Sequence, residues 1–143
     1  MIPQESIGKY LSYIYRTSQC YIGKELEQYG IGSGQYTFLL ALSQQDGVSQ
    51  DKLTEMVKVD KATTGRAVKK LVEEGFVVRR RNPDDKRAYQ LNLTPKGKRM
   101  LPFIQEVLFR WNSIFLKNFT VEERDVTLKL FKKIFENLSM DEK

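Results

Sequence analysis

Arg79, Arg80 and Arg81 stand on one side of Asn82-Pro83-Asp84-Asp85, and Lys86 and Arg87 stand on the other. Cations crowded this closely repel one another, and like charges facing each other across a hairpin weaken it unless an anion lies against it. The chemistry open to them is capture of phosphate or another polyanion through charge-assisted hydrogen bonds. The excess is local. From Asp51 to Arg99 the chain carries 14 Lys and Arg against 7 Asp and Glu, whereas all other residues together carry 10 against 11, so the net charge of +6 originates in the middle third. A polyanion-binding surface needs such localisation; general solubility does not.

Other chemistries lack their residues. With no histidine and the single cysteine Cys20, Ser-His and Cys-His nucleophiles and every His-containing or Cys-rich metal site are absent. The acids of EERDVTLK and ELEQ sit at helical spacings beside lysines, as solvated faces do. Gly30-Ile31-Gly32-Ser33-Gly34 follows a helical pattern rather than a strand, which makes it a helix stop and turn rather than a phosphate loop. Neither catalysis nor a cofactor nor a metal is expected. A chain of 143 residues with 41% hydrophobic and 29% charged residues suits one folded domain. No apolar run approaches the roughly 20 residues of a membrane span, and the start MIPQESIGKY has no secretion-signal pattern, so a cytoplasmic placement is expected. A lone cysteine fits a reducing compartment.

The elements that must position the cations follow from periodicity and punctuation. Six helical segments and one hairpin are predicted. The first helix spans about Ser6 to Tyr29 and stops at Gly30. Ser33 is placed to cap a second, which ends near Asp46-Gly47; Ser49 caps a short third through Val57, and Asp60 caps a fourth closed by Gly75. In the fourth helix Thr64, Ala67, Val68, Leu71 and Val72 share one face and must turn to the core. Lys61, Arg66, Lys69 and Lys70 are left on the others, with Thr63 near the first turn. Such a stripe fits a major groove, and it is also what any solvated helix displays. FVVRRR (Phe76–Arg81) and AYQLNL (Ala88–Leu93) read as strands around an NPDDKR loop. A helix-turn-helix followed by a basic hairpin is a winged helix, whose tip can enter a minor groove while flanking arginines such as Arg79 and Arg81 touch phosphates. Arg66 is the expected base-edge contact; Lys69, Lys70, Gln50 and Lys52 are the expected phosphate contacts.

The run VSQDKLTEMVKVDKATTGRAVKKLVEEGFVVRRRNPDDKRAYQLNLTPKG resembles the central region of MarR family transcription regulators, and the flanking helices match that layout over nearly the whole chain. The most specific part is D-x-R followed by an alternating strand and L-T-x-x-G, present as Asp85-Lys86-Arg87 and Leu93-Thr94-Pro95-Lys96-Gly97. The resemblance implies that Arg87 reaches into the minor groove, that Asp85 orients side chains there, and that Thr63, Arg66 and Lys61 inherit the groove-reading role. Gly65, standing among them, has no side chain with which to read a base.

Two further expectations concern assembly and control. Thr94 and Pro95 open a long helix carrying Leu101, Ile104, Leu108, Trp111 and Phe115, with Pro102 in its first turns or at a kink. Thr120 and Glu123 form a capping box before Leu128, Phe131, Ile134, Phe135 and Leu138. This much apolar surface points to a partner helix or a large intramolecular core. The resemblance implies a homodimer built from residues 1–30 and 95–143, holding the winged region 33–94 on a palindromic DNA operator. By the same resemblance the protein is expected to repress transcription and to release DNA on binding a phenolic or aromatic carboxylate effector; within the tyrosine-rich YLSYIYR, Arg16 is a candidate anchor for its carboxylate, with Tyr10, Tyr13 and Tyr36 to line the site, although an arginine of this kind more often pairs with a neighbouring acid at the surface. A winged helix can also serve as an RNA-binding or protein-interaction module, and some relatives sense peroxide through a first-helix cysteine. A buried structural thiol is the commoner state for a residue like Cys20.

Overall fold

The computed structural model describes residues 5–141. It contains six α-helices and a two-stranded antiparallel hairpin, the mainly helical, winged arrangement expected. Its contacts fall into two compact units, Met1–Phe109 and Arg110–Lys143, and the fifth helix runs through the boundary.

In the first unit, α1 (Ile7–Leu26) starts where Ser6 Oγ accepts the Lys9 amide at 3.1 Å. It ends three residues earlier than predicted, because Glu27–Tyr29 tightens into a 3₁₀ turn before Gly30 at φ 75°. That left-handed conformation is one glycine adopts without the Cβ clash. Helix α2 (Tyr36–Gln44) is not capped by Ser33. Gln35 holds the cap position, and its side-chain Oε1 turns back to accept the Gly32 amide at 2.7 Å. Helices α3 (Gln50–Val57) and α4 (Lys61–Glu73) start at the predicted caps: Ser49 accepts the Lys52 amide at 3.0 Å and Asp60 the Thr63 amide at 2.7 Å. Between them Lys58 takes a left-handed conformation at φ 65°, which makes the turn short.

Strands β1 (Val77–Asn82) and β2 (Asp85–Leu93) pair from Val77↔Leu93 through Arg81↔Tyr89, and again at Asn82↔Asp85. The predicted NPDDKR loop is thus only Pro83-Asp84; the ribbon runs almost to its tip, and the pairing slips between Arg81 and Asn82. The helix-turn-helix also adds a stub to this sheet that sequence reasoning missed. Val48 bridges Leu91, the Leu91 amide donates to the Val48 carbonyl at 2.7 Å, and the Leu93 amide donates to Asp46 Oδ1 at 2.9 Å.

Phe38, Leu39, Leu42, Leu53, Val68, Leu71, Phe76 and Leu91 form the centre of the core, each at most 2% exposed. Side chains of this size gain roughly 1.5–3 kcal/mol apiece on burial. Thr64, Ala67, Val68 and Leu71 of α4 face inward as predicted, but Val72 remains 39% exposed. The α1 stripe is likewise narrower than its pattern, with only Ile22 and Leu26 fully buried. Helix α5 (Pro95–Phe115) begins where Thr94 Oγ1 accepts the Gly97 amide at 3.0 Å and donates to the Gly75 carbonyl at 2.6 Å. Pro102 lies inside that helix, in its second turn.

In the second unit, Asn118 at φ 67° ends the turn after α5. Thr120 and Glu123 make the predicted reciprocal box, at 2.9 and 3.1 Å, and open α6 (Val121–Asp141). Val126, Leu128, Leu130, Phe131, Phe135 and Leu138 all stand exposed along α6.

Candidate nucleic-acid interface

Helix α4 presents its cations because its opposite face is committed to the core. The buried Thr64 hydroxyl accepts from Thr54 of α3 at 2.9 Å and bonds the Asp60 carbonyl at 3.2 Å, which fixes the rotation of α4 against α3. At the exposed start of α4, Asp60 Oδ2 accepts the Thr63 hydroxyl at 3.0 Å, and Thr63 Oγ1 accepts from Arg66 Nη2 at 3.3 Å. The Asp60 carboxyl is held below its ordinary value, first by the Thr63 amide and then by the Thr63 hydroxyl. Thr63 and Arg66, both expected to read the groove, are thus linked in one chain of bonds.

Gln50, the first residue of α3, bonds the wing and lies near α4. A Cβ on Gly65 would lie 3.6 Å from Gln50 Nε2, and Gln50 Oε1 accepts from Arg79 Nη2 at 3.4 Å. The small residue that cannot read a base therefore leaves α4 close to the side chain that reaches β1. In the wing, Arg81 Nη1 donates to the Lys86 carbonyl at 2.5 Å and its guanidinium lies 5.3 Å from the centre of the Tyr89 ring. Asp85 Oδ1 accepts the Arg87 amide at 3.0 Å. Asp85 thus meets the backbone of Arg87, while among the described residues no hydrogen bond or ion pair engages the Arg87 guanidinium. Arg80, which the sequence reading left out of the site, is exposed and lies on the other face of the ribbon, beside Gln90 in the register. The alternation of the strand could have singled it out.

Three of the candidate lysines carry surface ion pairs: Lys52 with Glu55 at 3.7 Å, Lys61 with Asp51 at 3.9 Å, and Lys70 with Glu74 at 3.3 Å. Exposed pairs of this kind contribute about 0–1 kcal/mol and exchange readily for a phosphate. Lys69 is exposed and has no such partner among the described residues.

Of the four residues predicted to hold an effector, Arg16 and Tyr13 lie against each other on α1. Arg16 Nη1 donates to Ser12 Oγ at 2.7 Å and its guanidinium lies 5.2 Å from the Tyr13 ring centre, with Lys9 on the same ring at 5.8 Å. Tyr10 and Tyr13 are about half exposed. Tyr36 is more enclosed: burial, and then the neighbouring Tyr15, push its phenol above the usual value. No hydrogen bond or ring contact among the described residues ties Tyr36 to Arg16. Cys20 is exposed, contrary to the buried thiol expected.

Comparison with known proteins gives one family. The sequence model of the MarR family matches residues 31–89. The chain is 43% identical to a MarR transcriptional regulator from Methanosarcina mazei Go1, with a TM-score of 0.85 over 94% of this chain and 97% of that one. It is 32% identical over 117 residues to YybA, an uncharacterized HTH-type transcriptional regulator of Bacillus subtilis (strain 168), covering 82% of this chain and 78% of the relative. A protein of Listeria monocytogenes described as a MarR family transcriptional regulator, complexed with a 26mer DNA, superposes with a TM-score of 0.89 at 28% identity, over 96% of this chain and 92% of that one.

Proposed function

The chain belongs to the MarR family of DNA-binding transcriptional regulators, and on that premise we propose that it acts as a homodimeric repressor on a palindromic operator. In this reading each protomer sets α4 in the major groove and its wing in the adjacent minor groove. Thr63, Arg66 and Lys61 meet base edges; Gln50, Lys52, Lys69, Lys70, Arg79 and Lys86 meet phosphates; Arg87 enters the minor groove from the turn that Asp85 closes. The observation that supports it best is the Arg79–Gln50 hydrogen bond, which ties the wing to the start of α3, beside Gly65 of the reading helix. Residues 33–94 are then the DNA-binding part, and residues 1–30 with 95–143 pair the protomers, in keeping with the exposed apolar side chains of α1 and α6. A cytoplasmic placement goes with this role, and no helix among the described residues is long and apolar enough to cross a membrane.

Selection from a pool of random duplexes tests the proposal. A palindrome with half-sites about 34 Å or a multiple apart is expected, and enrichment of no sequence would reject it. Release is assigned to a small aromatic acid whose carboxylate Arg16 takes over from Ser12, against rings from Tyr10, Tyr13 and Tyr36. Salicylate-like acids should weaken operator binding by the wild type and leave Arg16→Ala insensitive. Equal response of the two proteins removes Arg16 from that role.

A further inference from the structure

The three consecutive arginines do not share one environment. Arg79 reaches back to Gln50, Arg80 lies on the other face of the ribbon, and Arg81 turns toward the tip. The pairing explains what Arg81 meets there. Arg81 is opposite Tyr89 and the next residue, Asn82, is opposite Asp85, so Lys86, Arg87 and Ala88 of β2 face no residue of β1. Backbone groups in such a bulge lose their ladder partners. Two side chains stand in for them: Asp85 Oδ1 takes the Arg87 amide, and Arg81 Nη1 donates to the Lys86 carbonyl while its Cζ lies 5.3 Å from the centre of the Tyr89 ring. A guanidinium presents several donors in a fixed fork and stacks on an aromatic face, which suits it to span a bulge.

We propose that Arg81 is a positioning residue rather than a DNA ligand: it stands in for the missing ladder donor at the Lys86 carbonyl and so holds the bulge from which Arg87 projects. This rests on the wing reading given under Proposed function and replaces the phosphate contact that the sequence alone assigns to Arg81.

A double-mutant cycle with a charge-neutral control tests this. Affinity of the full-length protein for its selected duplex, at several salt concentrations, is measured for Arg81→Gln, Arg81→Met, Arg87→Ala and Arg81→Met/Arg87→Ala. Glutamine removes the charge and is too short to reach the Lys86 carbonyl, so Arg81→Gln should weaken binding as Arg81→Met does while keeping the salt slope unchanged, whereas loss of a phosphate contact lowers the slope by about 1 per protomer. Arg81→Met should weaken binding about tenfold or more, and adding it to Arg87→Ala should cost less than about twofold, because two groups acting as a unit are not additive. A lowered slope in Arg81→Gln, full affinity in Arg81→Met, or additive losses in the double variant each overturn the positioning role. Full affinity of Arg87→Ala would instead reject the wing reading beneath it, and the positioning role with it.

Discussion

At the level of single residues, Gly97 is needed because no side chain fits at its position. A Cβ on Gly97 would stand 2.2 Å from the Phe76 carbonyl oxygen, which belongs to the backbone at the helix-to-strand corner and cannot yield. Gly97→Ala should therefore cost about 1–3 kcal/mol by overpacking and lower the thermal midpoint by several degrees, and an unchanged melting curve would contradict that contact. This gives the L-T-x-x-G stretch a structural meaning: Thr94 binds the Gly75 carbonyl and caps α5, and Gly97 lets that helix start against Phe76. Arg87 is different in kind. Its guanidinium is exposed and without a partner among the described residues, so Arg87→Ala should leave the melting curve in place and weaken duplex binding by about tenfold or more, a loss on the scale of a single good groove contact of 1–3 kcal/mol. Asp60 supplies a pH signature. Its folded pKa is depressed, so the cap it makes contributes above the ordinary carboxylate value and is lost as pH falls through the lower folded value. The Thr63 amide should lose hydrogen-exchange protection on acidification below about pH 4, the range of an aspartate, and Asp60→Asn should remove that dependence.

Among the elements, α4 shows most clearly what sequence makes legible. Its start, its inward face and its basic stripe follow from Asp60, from the spacing of Thr64, Ala67, Val68 and Leu71, and from the lysines between them, because a cap and a helical period are local properties. The cap of α2 did not follow from Ser33: Gln35 stands at the cap position without a side-chain bond to the first turn, and its Oε1 takes the Gly32 amide instead. The wing failed in a different way. Pro83 and the acids marked a turn correctly, yet the length of the ribbon, its bulge and the Val48 bridge depend on which residues face each other across strands, and register is not a property of either strand alone. Within the site the same division holds: the residue types were readable, whereas the separate bonds of Arg79 and Arg81 depend on side-chain direction. Gly65 permits a test at this scale. Nothing in its surroundings comes closer than 3.6 Å to an added Cβ, and its φ is not positive. Gly65→Ala should accordingly stabilise α4 by about 0.5–1 kcal/mol and raise the thermal midpoint; a fall would mean that α4 needs the gap at Gln50 for its own packing.

For the whole molecule the question is how many copies meet the duplex. The first unit holds a closed core around Phe38, Leu53, Leu71 and Leu91, while α6 in the second unit leaves Leu128, Phe131, Phe135 and Leu138 each about half exposed. Apolar side chains spaced along one helix in that way are the usual mark of a surface awaiting a partner, and a two-fold axis through such a surface would repeat the reading helix and the wing on the second half of a palindrome. Symmetry makes every protein–phosphate contact count twice. Lys69 gives a clean measure, being exposed and outside the ion pairs that occupy Lys52, Lys61 and Lys70. If one protomer bound alone, Lys69→Ala would lower the slope of log affinity against log salt by about 0.9, the value per phosphate on B-form DNA. For a dimer on a full palindrome the drop should be about 1.8, and it should return to about 0.9 on a short duplex that carries a single half-site and contacts one protomer. The same small drop on full and half sites would leave the dimeric operator complex without support, whatever oligomeric state the free protein shows in solution.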